Sequence, residues 1–359
     1  MIEPFKLDVP QADLDDLLDR LARTRWPDEL PGAGGDYGIP LARVQGLVER
    51  WKSFDWRAVE AKLNAHPQFT TTIDGQNVHF LHVRSDREDA LPLVLTHGWP
   101  SSVLDFLDVI EPLSRDFHLV VPSIPGYGPS GPTRERGWGV ERVGRAWAEL
   151  MDRLGYDRYG AQGGDFGSGV SQAVAAAAPD KVVGVHLNYL PTPPPASTEG
   201  LSATDLERVE KIRRFLGQRP GYQVMHMTKP QVVAYGITDS PVGLLGWVAD
   251  KFFEWLDPRS EVDDDRLLEV VTLYWLTGTA GSALRLAKES GPVRCPVPVG
   301  VAVFPADIIL AVRGVVERQL DVRRWTEFDR GGHFPALEVP DLLAEDVRAF
   351  FADLRRPTS

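Results

Sequence analysis

The residues whose types and spacing could do chemistry centre on one pentapeptide, Gly163-Gly164-Asp165-Phe166-Gly167. A short apolar run (159–162) precedes it, and a run with helical spacing (168–178) follows. Small residues on both sides allow a sharp strand-to-helix turn that lifts the central side chain above a sheet. The positive end of the following helix favours a carboxylate there. Taken alone, the pentapeptide is also explained by a glycine-rich turn closed by a capping Asp. Its context favours chemistry. His97-Gly98-Trp99-Pro100 directly follows another apolar run (93–96). A turn in that place aims a backbone N–H at an oxyanion, and the residue after the nucleophile supplies a second donor. The amides of Trp99 and Phe166 are the candidates. His97 itself is expected to hold its loop by a hydrogen bond.

A nucleophile needs a base, and the base needs an orienting acid. Of eight histidines, His333 alone sits between a late strand and the last helix, in Gly331-Gly332-His333-Phe334-Pro335. The adjacent glycines let its imidazole approach the turn. Asp307, in Phe304-Pro305-Ala306-Asp307, lies just past another strand. Glu317 is a fallback acid, expected on a surface helix. Asp165, Asp307 and His333 run nucleophile, acid, base along the chain, the order found in α/β-hydrolases.

The type of nucleophile limits the reaction. Carboxylate attack on an acyl carbon gives a reactive anhydride, whereas attack on a saturated carbon gives an ordinary ester. Asp165 therefore points to displacement at sp3 carbon. Ester hydrolysis follows, with His333 activating water and Asp307 steadying the imidazolium. An epoxide oxygen leaves as a basic alkoxide and needs a proton donor, such as a tyrosine. A halide needs N–H donors, often a Trp directly after the nucleophile, and Phe166 cannot donate. A haloalkane dehalogenase is thus the second choice, and a binding protein that keeps the triad the third. A serine esterase is disfavoured because Ser168 falls inside the helix. Gly126-Tyr127-Gly128 reads as a loop. No metal-ligand spacing or dinucleotide fingerprint occurs, so neither metal nor cofactor is expected.

A larger frame must place these residues. Strand, loop and helix patterns alternate from about residue 93 to 187, which implies a mostly parallel, doubly wound α/β sheet. Before it, Leu14, Leu17, Leu18 and Leu21, then Val44, Leu47, Val48 and Trp51, mark two amphipathic helices. A hairpin follows, with runs 69–73 and 78–83 flanking Asp74-Gly75. Pro191-Thr192-Pro193-Pro194-Pro195 is a candidate linker. Residues 196–290 are mostly helical, after which strands at 299–304 and 323–328 and a helix at 341–351 resume the core. The expected segments are a meander (1–75), core (76–190), helical cap (191–290) and core again (291–359). An insertion so placed can cover the carboxyl ends of the strands.

Composition narrows the class. The 359 residues are 43% apolar and 25% charged, ordinary for a globular chain. The net charge of −12 argues against nucleic acid or an anionic membrane as partner. The single cysteine, Cys295, excludes a disulfide framework and is expected to be buried. No apolar run reaches the roughly 18 residues of a membrane span. The N-terminus lacks a basic-then-apolar leader. A soluble, cytoplasmic protein is expected.

The motifs resemble those of epoxide hydrolases of the α/β-hydrolase superfamily, in the microsomal-type branch with an N-terminal meander. Matching stretches are Trp51, Asp55-Trp56-Arg57, Leu63-Asn64 and Pro67-Gln68-Phe69, then His97-Gly98-Trp99-Pro100 and Gly163 to Ser168. Thr228-Lys229-Pro230-Gln231, Tyr274-Trp275 and Gly331-Gly332-His333-Phe334 complete the set, which spans nearly the whole length. Some members carry a membrane anchor before the meander, and this chain is expected to begin after it. The resemblance implies that Tyr222 and Tyr274 are the cap tyrosine pair that protonates the leaving oxygen. It leaves Tyr235 as packing. Trp99, Phe166, Tyr222 and Tyr274 then line the substrate site, and Trp138 and Trp247 are further aromatics compatible with a bulky apolar epoxide. It also implies a small-molecule epoxide as substrate and is compatible with a homodimer. Where the family commonly has Glu, Asp105 stands. Ile309 and Leu310 follow the acid where basic or proline residues are frequent. Neither departure touches a catalytic role on this resemblance.

Overall fold

The computed structural model describes residues 1–218 and 220–355. The last four residues of the expected final segment lie outside them. Strands β1 (Ile2–Phe5), β2 (Gln68–Ile73) and β3 (Gln76–Val83) pair antiparallel, and β3 joins β5 (Phe117–Pro122) antiparallel. From there β4 (Leu91–Thr96), β5, β6 (Tyr159–Gly163), β7 (Val182–Leu187), β8 (Val299–Val303) and β9 (Val322–Glu327) run parallel. The order across the nine-stranded sheet is β1-β2-β3-β5-β4-β6-β7-β8-β9. Strand β1 is unannounced in the sequence. It is short, contains Pro4 and sits at the sheet edge, where proline costs no ladder bond. Its partners Gln68 to Thr71 lie far along the chain, so no local pattern reveals it. The expected boundary at 75/76 falls in the Asp74-Gly75 turn, inside one hairpin of the sheet.

Side-chain alternation puts a helical layer on each face of the sheet. Helices α1 (Gln11–Ala22), α2 (Leu41–Lys52) and α3 (Trp56–Asn64) separate β1 from β2. Leu18, expected on the buried stripe of α1, is exposed, because Leu17 and Leu21 fill the contact. Along the central strands, Val94 and Val120 face one apolar cluster, while Leu93, Leu95, Leu119 and Val121 face the other. Helix α4 (Leu107–Ser114) and the C-terminal helix Pro340–Arg355 cover the second face with Ile110, Leu113, Phe350 and Phe351. Helices α5 (Val140–Arg153) and α6 (Phe166–Ala177) cover the first with Trp147 and Val170. The expected helix over 103–113 starts as one 3-10 turn, since the Ser102 hydroxyl caps it at Leu104 N.

The insertion between β7 and β8 is helical: α7 (Ala203–Gln218), α8 (Gly221–Thr228), α9 (Pro230–Asp239), α10 (Pro241–Trp255) and α11 (Asp264–Leu276) form most of the cap, followed by two short helices, Ala280–Ala283 and Arg285–Glu289. The N-terminal helices strap it down. Trp51 is buried, and its Nε1 donates to Thr272 Oγ1 at 2.7 Å. The more exposed pairs Arg43–Asp264 and Arg50–Asp265 span the same seam, where solvent screening leaves them little weight. Trp51→Ala should therefore dominate that seam, lowering stability by about 3–5 kcal/mol in urea denaturation. A loss below 1 kcal/mol would show that the strap is not anchored there. Among the described residues, no single helix is long and apolar enough to cross a membrane.

Candidate active site

Sheet register brings the chemistry together. Thr96 at the end of β4 pairs with Gly163 of β6, Gly163 with Leu187 of β7, and Leu187 with Val301 of β8. The loops that leave these strands therefore converge at one carboxyl edge, where open α/β sheets place their sites. Asp165 takes φ +49°, a left-handed conformation held only by its surroundings. The surroundings are tight. A Cβ on Gly167 would lie 1.9 Å from the Thr96 carbonyl oxygen, and one on Gly98 would lie 2.3 Å from Asp165 Oδ1. The Trp99 amide donates to Asp165 Oδ1 at 2.9 Å. The Phe166 amide opens α6 and so has no intrahelical acceptor. Ser168 is buried within that helix.

His333 and Asp307 complete the constellation. His333 Nδ1 meets Asp307 Oδ1 at 2.7 Å, and His333 Nε2 lies 3.4 Å from Asp165 Oδ2. The carboxylate at Nδ1 fixes the proton there and leaves Nε2 facing the nucleophile. Burial opposes a charge on this imidazole, but the Asp307 and Asp165 carboxylates outweigh it and raise its pKa to about 10. Burial likewise raises the Asp307 carboxyl, against the pull of His333. The cap holds the histidine loop. The His333 amide donates to the Trp255 carbonyl at 3.0 Å, and the Gly331 amide to Asp257 Oδ2 at 2.8 Å. Glu317 is instead engaged by Arg313 at the surface.

His97 holds its loop. It accepts from the Ile124 amide through Nε2 at 3.2 Å, so Nδ1 carries the proton donated to the Gly98 carbonyl at 3.0 Å. Burial pushes its pKa down to about 4, which keeps it neutral.

Tyr222 and Tyr274 flank the Trp99–Ser101 turn differently. Tyr222 stacks on Trp99 with ring centres 5.9 Å apart, and burial and the Asp165 charge raise its pKa. Tyr274 is fully buried, and its hydroxyl donates to the Ser101 carbonyl at 2.6 Å and accepts from the Ser101 amide at 3.2 Å. Tyr235, expected to pack, is 73% exposed on α9 instead. Trp138 is covered by the Arg142 guanidinium, and Trp247 donates to His226 at 3.1 Å. Two aromatics escaped notice. Tyr189 and Trp255 each set a ring edge-on to His333, with centres 5.1 and 5.0 Å away. The only sequence signal was the place of Tyr189 just past a strand. Among the described residues, no group of three or more His, Cys, Asp or Glu is placed to hold a metal.

Topology and triad together define a class, the α/β-hydrolases with a helical cap. The family described as alpha/beta hydrolase fold matches residues 92–215, and that described as epoxide hydrolase N terminus matches residues 2–106. A relative from Stigmatella aurantiaca whose name places it among epoxide hydrolases is 42% identical, over 99% of this chain and 86% of its own. Epoxide hydrolase 1 of Sus scrofa is 31% identical, over 99% of this chain and 89% of its own. The solved structure of Aspergillus niger epoxide hydrolase superposes with a TM-score of 0.90 at 33% identity, covering 99% of this chain and 97% of that one. The chain belongs to the epoxide hydrolase family.

Proposed function

We propose that the protein opens a small-molecule epoxide to a vicinal diol through an ester on Asp165. The observation that carries this is the Asp165–His333–Asp307 constellation with the Trp99 amide already on the nucleophile. Asp165 attacks a ring carbon from behind while Tyr222 protonates the departing oxygen; Tyr274, expected as its partner, instead commits its hydroxyl proton to the Ser101 carbonyl and steadies the turn. His333 then takes a proton from water as it adds to the ester carbon. The amides of Trp99 and Phe166 hold the tetrahedral oxyanion. Collapse returns the Asp165 carboxylate and releases the diol. Aromatic walls from Trp99, Tyr222 and Trp255 suit an aryl or bulky apolar epoxide. The free, buried Cys295 supports a reducing, cytoplasmic setting.

A panel of aryl and alkyl epoxides set against haloalkanes tests this, with diol formation expected and no halide release. Halide release without diol would reverse the assignment. The tyrosine role has its own test. Tyr222→Phe should slow ester formation by roughly 10²–10⁴, the worth of a general acid, and leave ester hydrolysis within a few-fold. Tyr274→Phe, which removes only the hold on the Ser101 backbone, should slow ester formation less than Tyr222→Phe does. Stopped-flow alkylation at the normal rate in Tyr222→Phe would remove that residue from this step.

A further inference from the structure

Behind Asp165 lies a cavity of about 40 Å³, lined by Asp165, His333, Asp105, His97, Asn188 and Ala336 among others. None of its lining residues comes from the 191–290 segment, so its walls are built by the core loops around the nucleophile. That volume accommodates water, which requires at least about 10–15 Å³ and polar partners.

Its polar lining is unusual. Asp105 is 5% exposed, in the 3-10 turn that follows the oxyanion loop. One carboxyl oxygen, Oδ2, accepts from Ser101 Oγ at 2.5 Å. The other, Oδ1, is buried without a hydrogen-bond partner among the described residues. His333 Nε2 also makes no formed hydrogen bond here, its nearest acceptor being Asp165 Oδ2 at 3.4 Å. The unpaired Asp105 oxygen needs an explanation, since an unpaired buried polar group costs about 1–3 kcal/mol.

Resting on the two-step reading above, we infer that this cavity is the seat of the hydrolytic water and that Asp105 Oδ1 orients it against His333. In the ester intermediate, one water hydrogen goes to His333 Nε2 and the other hydrogen-bonds to Asp105 Oδ1. A lone pair of the water oxygen is thereby turned toward the Asp165 carboxyl carbon. The new C–O bond forms there, the ester C–O bond breaks, and the His333 proton passes to the departing alkoxide. The water oxygen stays on Asp165, whose acid proton returns to the now neutral His333. Ser101 anchors Asp105 from the far side, and Tyr274 holds the Ser101 backbone. Asp105 thus has a role that the family resemblance did not assign. The departure from Glu shortens the side chain at a position that faces the reacting water.

Asp105→Asn tests the role at nearly constant shape. With its amide oxygen still accepting from Ser101, its NH₂ faces the cavity, and the water loses its acceptor. In rapid-mixing experiments, ester formation should stay within about twofold of normal. Ester decay should slow tenfold or more, so that alkylated protein accumulates during turnover and is visible by intact mass. Equal slowing of both steps, or normal ester decay, would overturn the proposal. If the native protein forms no ester at all, the two-step reading fails instead. A high-resolution crystal structure of the native protein gives an independent check that no folding defect can obscure. Density for a water about 3 Å from both Asp105 Oδ1 and His333 Nε2 is expected, and a dry cavity there would overturn the assignment.

Discussion

Asp165→Ala should leave no measurable turnover, a loss of four or more orders of magnitude, on the scale of removing a nucleophile from a triad. No described side chain replaces it. His333 Nε2 lies 3.4 Å from Asp165 Oδ2, and the Trp99 amide is committed to Asp165 Oδ1. The fold should survive, because alanine keeps the Cβ and the backbone at φ +49° while giving up only the contacts of the carboxylate. A water-labelling experiment separates covalent attack from general-base attack. In one turnover in ¹⁸O-water, the oxygen added to the diol should come from Asp165 and be unlabelled, and the label should stay in the protein. Mass spectrometry of the peptide holding Asp165 reads this directly. Labelled diol in the first turnover, with unlabelled peptide, would mean that water attacks the substrate itself.

The glycines explain why so much of this site could be read without coordinates. At Gly98 and Gly167 a Cβ would collide with Asp165 or with the Thr96 carbonyl. The same crowding that builds the elbow therefore leaves its mark in the sequence. Strand ends told as much. Asp307 and His333 each follow a parallel strand, and the sheet register carries them to Asp165. Side chains placed by long-range packing were less legible. Strand β1 depends on residues 68 to 71, and the edge-on contacts of Tyr189 and Trp255 with His333 depend on how the cap settles. Tyr235 is left as packing once the resemblance takes Tyr222 and Tyr274 as the pair, yet it is exposed on α9. Asp105 shows the subtler limit. The sequence showed a shortened carboxylate, but its unpaired oxygen exists only relative to a cavity formed by distant chain segments.

His333→Gln should be alkylated at near-normal rate and then stall. Ester formation needs the Asp165 carboxylate and a tyrosine proton, neither of which His333 supplies. Ester hydrolysis needs a base at Nε2, and glutamine offers none, so decay should slow roughly 10²–10⁴-fold. Intact mass should show one substrate per protein. The electrostatics give the pH dependence of this step. Before reaction, Asp307 and Asp165 together outweigh burial and raise His333 to about 10, so the imidazole is protonated at neutral pH. Esterification neutralises Asp165 and removes one of the two charges that stabilise that proton. The pKa of His333 must then fall, and the proton can pass to the tyrosinate left by ring opening. Neutral imidazole therefore appears when water must be activated. Ester decay should lose rate as pH falls through this lowered pKa, while alkylation needs no neutral histidine. Asp165→Ala mimics the loss of charge without substrate. Its His333 resonance, followed by NMR, should titrate well below that of the native protein. Identical titration in the two would show that Asp165 does not control the base, and the timing argued here would be lost.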